Sequence, residues 1–278
     1  MNVNDTRITR RFDALKAEGR SGLVVFVTSG DPDYDTSVEI LNGLADAGAD
    51  LIELGMPFSD PMADGPAIQV SSQRALKNGQ TLTKTIQSVR DYRTRDNDTP
   101  IILMGYYNPI YAYGVDAFLG DATEAGIDGL IIVDLPPEEE RELCLPAIEA
   151  GVNFIYLTAP TTNEERLPRV LAHASGFIYY VSITGITGAG SATSADIAAQ
   201  LDRIRAQSDL PIAVGFGITT PEKAADIASV ADAAVVGSAV VKIIADNLDD
   251  DGKAKPGLAD KVLGFVGELA AGVRGAAK

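Results

Sequence analysis

Eight short apolar runs punctuate the chain: Leu23–Thr28, Asp50–Leu54, Ile101–Tyr106, Gly129–Val133, Phe154–Leu157, Phe177–Val181, Ile212–Phe216 and Ala234–Val236. They are nearly continuous in apolar residues and do not strictly alternate, which is how parallel strands covered on both faces read. Between them lie stretches with apolar residues three and four apart, such as Ser37-Val38-Glu39-Ile40-Leu41-Asn42-Gly43-Leu44, which predict amphipathic helices. Several begin at capping residues: Asp33, Asn163 with Glu165 close behind, and Thr220-Pro221-Glu222, where proline suits the first helical turn.

Eight strands alternating with helices predict one (β/α)8 TIM-barrel domain over residues 1–278. A doubly wound open sheet is the alternative. It usually carries a GxGxxG turn after the first strand, and that position here reads Thr28-Ser29-Gly30-Asp31-Pro32. Ahead of the first run, Ile8, Phe12 and Leu15 mark an extra N-terminal helix expected to plug the barrel bottom. A solvated loop, Asp249–Gly257, precedes a last helix at Leu258–Val273.

Composition narrows the class. With 46% apolar and 22% charged residues the chain has ample core material, which excludes disorder. No apolar stretch reaches the roughly 18 residues a membrane helix needs, and the start, MNVNDTRITRRF, lacks the apolar segment of a secretory signal. The one cysteine, Cys144, excludes an internal disulfide and fits a reducing compartment, so a soluble cytoplasmic protein is expected. A net charge of −16 without a basic stripe disfavours nucleic acid. Asp outnumbers Glu two to one and Lys is scarcer than Arg. That is either an ordinary acidic surface or a halophile-like one suited to high salt.

The second crossover is about twice as long as most and starts Gly55-Met56-Pro57-Phe58-Ser59-Asp60-Pro61-Met62-Ala63-Asp64-Gly65-Pro66. Its prolines forbid regular helix and predict an extended loop at the carboxyl end of a strand, the catalytic face of a barrel. Just before it, Glu53 interrupts Leu51-Ile52-Glu53-Leu54. A mid-strand carboxylate must be partnered, protonated or exposed in a cavity. Asp60 and Asp64 can fold over the same mouth, and Asp134 after the fourth run reads as an acid that supports the site from behind or tethers a loop, not as a catalytic one. Glycines follow at Thr187-Gly188-Ala189-Gly190-Ser191, Gly215-Phe216-Gly217-Ile218 and Gly237-Ser238. They let main-chain N–H groups approach a phosphate after the late strands, with Ser238 adding a hydroxyl.

The lone histidine, His173, reads as a surface or packing residue on a helix and cannot supply a multi-imidazole metal site. No predicted strand has an interior lysine for Schiff-base chemistry. Cys144 follows the stretch Glu138–Leu143, read as an acidic helix that raises the thiol pKa. Acid–base work by carboxylates remains, with no metal and no organic cofactor.

The segment Glu53–Pro66 closely resembles the signature of the tryptophan synthase alpha subunit family. Phe26–Pro32, Met104–Pro109, Val133–Pro136, Tyr179–Ser182, Gly185–Gly188 and Gly215–Ile218 follow in the family's order. The resemblance implies cleavage of indole-3-glycerol phosphate to indole and glyceraldehyde 3-phosphate. Glu53 would be the acid–base residue and Asp64 the group facing the indole nitrogen. Phe26, Ile68, Met104, Ile131 and Tyr179 would line the pocket. Thr187 would lie on a loop closing over substrate, and phosphate would sit on Gly188, Gly217, Gly237 and Ser238. The family also implies a pyridoxal phosphate beta subunit as partner in an α2β2 tetramer, with Asp60 and Asn108-Pro109-Ile110-Tyr111 as candidate contacts. Where some members have an arginine in the loop after the sixth run, this chain has Ile183, so an ion-pair latch there is not carried over. Related phosphate-binding barrels, a stand-alone indole-producing lyase and a non-catalytic phosphate binder are the competing readings.

Overall fold

The computed structural model describes residues 5–182, 193–215 and 217–276. Its strands are β1 (Gly22–Thr28), β2 (Leu51–Gly55), β3 (Ile101–Gly105), β4 (Gly129–Ile132), β5 (Asn153–Phe154), β6 (Leu157–Thr158), β7 (Ile178–Val181), β8 (Ile212–Gly215) and β9 (Ala233–Val236). All pairings among them are parallel, in the order β5-β4-β3-β2-β1-β9-β8-β7-β6.

The ends of that order, β5 and β6, are consecutive in the chain. They are the two halves of the expected fifth strand, so the run read as Phe154–Leu157 is corrected to two short ladders. The first half pairs with β4 and the second with β7. Between them the Ile155 amide donates to Leu130 O at 2.9 Å, and the Tyr179 amide to Tyr156 O at 3.1 Å. One strand shared by two neighbours at different heights is what the stagger of a tilted barrel requires. The fold is therefore the (β/α)8 barrel the alternation predicts.

The extra helix is Arg7–Ala17, and it closes the bottom. Ile8, Phe12 and Leu15 are buried in one cluster with the inward-facing Val24, Leu51, Ile102, Ile131, Ile155 and Phe177. Phe12 meets Phe177 with ring centroids 5.7 Å apart. The other face of the strands packs against the surrounding helices in a second, larger cluster.

At the same end, three acids stand immediately before strands. Asp50 accepts from the Leu23 amide at 2.9 Å and from both terminal nitrogens of Arg20. Asp128 accepts from the Ile101 amide, Arg7 and Arg93 at 2.8, 2.9 and 2.7 Å. Asp232 accepts from the Ile212 amide at 3.0 Å, with Arg205 3.7 Å away. Each acid thus fills an amide at the start of a neighbouring strand and faces an arginine, which fixes the strand starts.

Asp33 caps Tyr34–Gly43 by accepting from the Thr36 amide, and Thr220 caps Pro221–Ala228 through the Lys223 amide. Asn163 accepts from the Arg166 amide but heads a turn; the helix starts only at Leu167. Three further expectations are corrected. Residues 138–143 form the end of a short 3-10 helix and a turn, not an α-helix. Cys144 begins Cys144–Ala150, and burial, more than the nearby Glu140, pushes its thiol up to about 11. His173 lies in the turn beyond the helix Leu167–Leu171, exposed and 2.8 Å from Glu140. The last helix runs Leu258–Arg274. Among the described residues, no helix is long and apolar enough to cross a membrane.

Candidate active site

The interior at the carboxyl ends of the strands is built by β1, β2, β3 and β7. Phe26 of β1 lies beside Glu53 of β2 in register, and both side chains are buried. Room for rings comes from glycines. A Cβ on Gly55 would stand 2.7 Å from the Phe26 ring, one on Gly215 2.6 Å from the Tyr179 hydroxyl, and one on Gly237 3.2 Å from Phe26 Cβ. The glycines flagged for phosphate thus also serve packing.

Glu53 is 1% exposed, and among the described residues its Oε1 has no hydrogen-bond partner. Burial alone pushes its carboxyl up to about 8. An uncompensated buried charge is expensive, so the group holds its proton at neutral pH. The sequence left three outcomes open, and burial without a partner for Oε1 favours the protonated one.

Asp64 sits on the loop between β2 and the helix Pro66–Lys77, whose first turn holds Pro66. The extended segment therefore ends at Gly65, and Pro66 opens a helix. Burial raises the Asp64 carboxyl, opposed by a hydrogen bond from the Tyr106 hydroxyl at 3.1 Å. Both Glu53 and Asp64 lie close enough to Tyr179 to raise its hydroxyl, after burial, the larger cause. The two acids on neighbouring elements thus converge on one ring.

A narrow cleft joins Phe26, Asp64, Ile68 and Met104, four of the expected residues, with Thr28, Met56, Ser72, Tyr106 and Val133. Ile131 is buried below it, and Tyr179 packs against the same inner cluster. Gly217, at φ +59°, and Gly237 with Ser238, the start of the helix Ser238–Asp246, open on the same face. Thr187, Gly188 and Ile183 lie outside the described residues. Asp134 accepts from the Tyr107 amide at 2.8 Å, tethering the loop after β4 to the one after β3, as read from the sequence. Asp60 is exposed on the rim.

Sequence reasoning missed Tyr106, Thr28 and Ser72. The hint for the first two was available: each falls at or just after the end of a strand that carries a named pocket residue. A cavity of about 780 Å³ opens at the opposite end, beside Lys16, Arg20, Arg205 and Asp232. There Arg205 stands 3.7 Å from Asp232 and Arg20 pairs with Glu18 and Asp50, unlike the unpartnered Oε1 of Glu53. Among the described residues, no group of three or more His, Cys, Asp and Glu side chains is placed to hold a metal ion.

A family model described as tryptophan synthase alpha chain matches residues 12–271. The crystal structure of tryptophan synthase subunit alpha from Legionella pneumophila is 39% identical, with a TM-score of 0.88 over 97% of this chain and 99% of that one. Tryptophan synthase from M. tuberculosis, in an open form, is 33% identical with a TM-score of 0.85, covering 97% and 99%.

Proposed function

The chain belongs to the tryptophan synthase alpha chain family and cleaves indole-3-glycerol phosphate in tryptophan biosynthesis; from that premise we propose that Glu53 and Asp64 divide the chemistry. The observation that carries this is the buried Glu53 carboxyl, unpartnered among the described residues and raised to about 8 by burial. Holding a proton at neutral pH, it delivers that proton to indole C3. The resulting carboxylate takes the proton from the side-chain hydroxyl as the carbon–carbon bond breaks, so the group ends as it began. Asp64 faces the ring nitrogen, where positive charge develops when C3 is protonated. Phe26, Ile68, Met104, Ile131 and Tyr179 form the apolar slot. The phosphate rests on main-chain donors at Gly188, Gly217 and Gly237, with Ser238, and Thr187 rides the closing loop.

The chain acts as one domain in the cytoplasm, alongside the pyridoxal phosphate beta subunit in an α2β2 tetramer. Support for the docking face comes from the large apolar side chains that stay exposed, Met62, Val70 and Tyr111. All three lie on elements that follow β2 and β3, Met62 near Asp60 and Tyr111 near Asn108 in sequence, and exposed apolar groups on this side of the barrel favour an interaction surface.

Indole release and substrate Kd, measured for two variants, test the division. Glu53→Gln keeps the volume and cannot transfer a proton, so kcat should fall by about 10²–10⁴ with Kd within about tenfold. Asp64→Asn keeps an acceptor and should retain more residual turnover. Near-wild-type turnover in Glu53→Gln removes the assignment. Lost binding at unchanged kcat makes Glu53 a binding residue.

A further inference from the structure

Asp64 is held by more than its own loop. Tyr106, the residue after β3, is only 3% exposed. Its hydroxyl accepts a hydrogen bond from the Ala63 amide at 2.9 Å and donates one to Asp64 Oδ2 at 3.1 Å. Phe58 packs on its ring with centroids 5.3 Å apart. The next amide, that of Tyr107, is tied to Asp134. From the other side, Gln69 donates to the Asp64 carbonyl at 2.9 Å. A mid-loop aspartate is otherwise free to rotate, and here one phenol binds both its carboxylate and the peptide ahead of it.

We propose that Tyr106 is a positioning residue for indole cleavage: it holds the Asp64 carboxylate by Oδ2 so that Oδ1 is presented to the indole ring nitrogen. The proposal rests on the reading of Asp64 as the group that balances charge there. Two things follow from the geometry. A phenol donating to a carboxylate favours the charged form, which offsets the burial acting on Asp64. And a carboxylate fixed before substrate arrives needs no reorganisation as charge develops on the ring. Among the described residues, the other titratable group facing Asp64 is Tyr179 of β7, which also faces Glu53 of β2.

The test is Tyr106→Phe, which keeps the ring and its contact with Phe58 and removes only the hydroxyl. Circular dichroism should match the wild type. The expected kcat is about 10- to 100-fold lower, with little change in substrate Kd. The acid limb of kcat/KM should move to higher pH, because a group that lowers the Asp64 pKa has gone. In an Asp64→Asn background the same substitution should add nothing to the loss, since Tyr106 acts through that carboxylate. An unchanged pH profile, a loss fully additive with Asp64→Asn, or failure to fold would each overturn the proposal and leave Asp64 in place. Full activity in Asp64→Asn would instead remove the reading it rests on.

Discussion

At the amino ends of the strands, Asp50 and Asp128 are buried, yet each is paired with arginine and accepts an amide at the start of a neighbouring strand; Asp232 repeats the arrangement half-buried. At the carboxyl ends, among the described residues, Glu53 is as deeply buried and its Oε1 has no partner, while Asp64 holds only the Tyr106 phenol on its carboxylate. Both ends place acids on or beside strands of the same barrel, and the chemistry they permit is opposite. A carboxylate met by arginine and by a strand amide ties strands together. An uncompensated one keeps a proton, which is useless for stability and necessary for moving protons at neutral pH.

The contrast breaks most visibly at Asp128. Asp128→Ala leaves Arg7 and Arg93 facing each other and strands the Ile101 amide, so stability should fall by about 3–5 kcal/mol. The folded variant should keep wild-type kcat. Denaturant unfolding beside an indole-release assay checks both. A kcat that falls with stability would erase the distinction between the ends.

A second effect, spread over several pH units, separates the same groups by pH. Glu53 has a folded pKa above its unfolded one, so the folded state binds the extra proton. Its contribution is full below the ordinary glutamate range and is lost as pH rises towards about 8. Over that window it lowers stability by roughly 1.4 kcal/mol per pH unit. Glu53→Gln should remove that slope and be more stable than the wild type at alkaline pH, while remaining almost inactive. Unfolding free energies at intervals from pH 5 to 9, taken on both proteins, decide it; parallel curves would place a partner on Glu53.

The smallest expected effect concerns the surface. The net charge of −16 should make unfolding midpoints rise with KCl or NaCl as repulsion is screened, and a flat profile would leave the acidity without that consequence.

Much of the arrangement was legible because burial writes itself into composition. Parallel strands covered on both faces read as apolar runs, and a glutamate inside one, at Glu53, stands out. The split of the fifth strand did not show, since Phe154-Ile155-Tyr156-Leu157 reads as one run and its division depends on the stagger of β4 and β7. The arginine-paired acids were overlooked even though Ala49-Asp50-Leu51, Ile127-Asp128-Gly129 and Ala231-Asp232-Ala233 repeat one pattern; their partners lie far away in sequence. Tyr106 was missed for the same reason. A tyrosine after a strand looks like any aromatic until the Asp64 loop folds onto its hydroxyl.

The contrast between the ends turns on one proton. Carbon-13 labelling of the glutamate carboxyls, with Glu53→Gln to assign the signal, reads it by NMR across a pH series. One carboxyl titrating near 8, absent from the variant, is expected from the burial of Glu53. A Glu53 signal titrating in the ordinary range, near that of a solvated glutamate, would mean the barrel compensates this acid as it does Asp50 and Asp128, and would contradict the division.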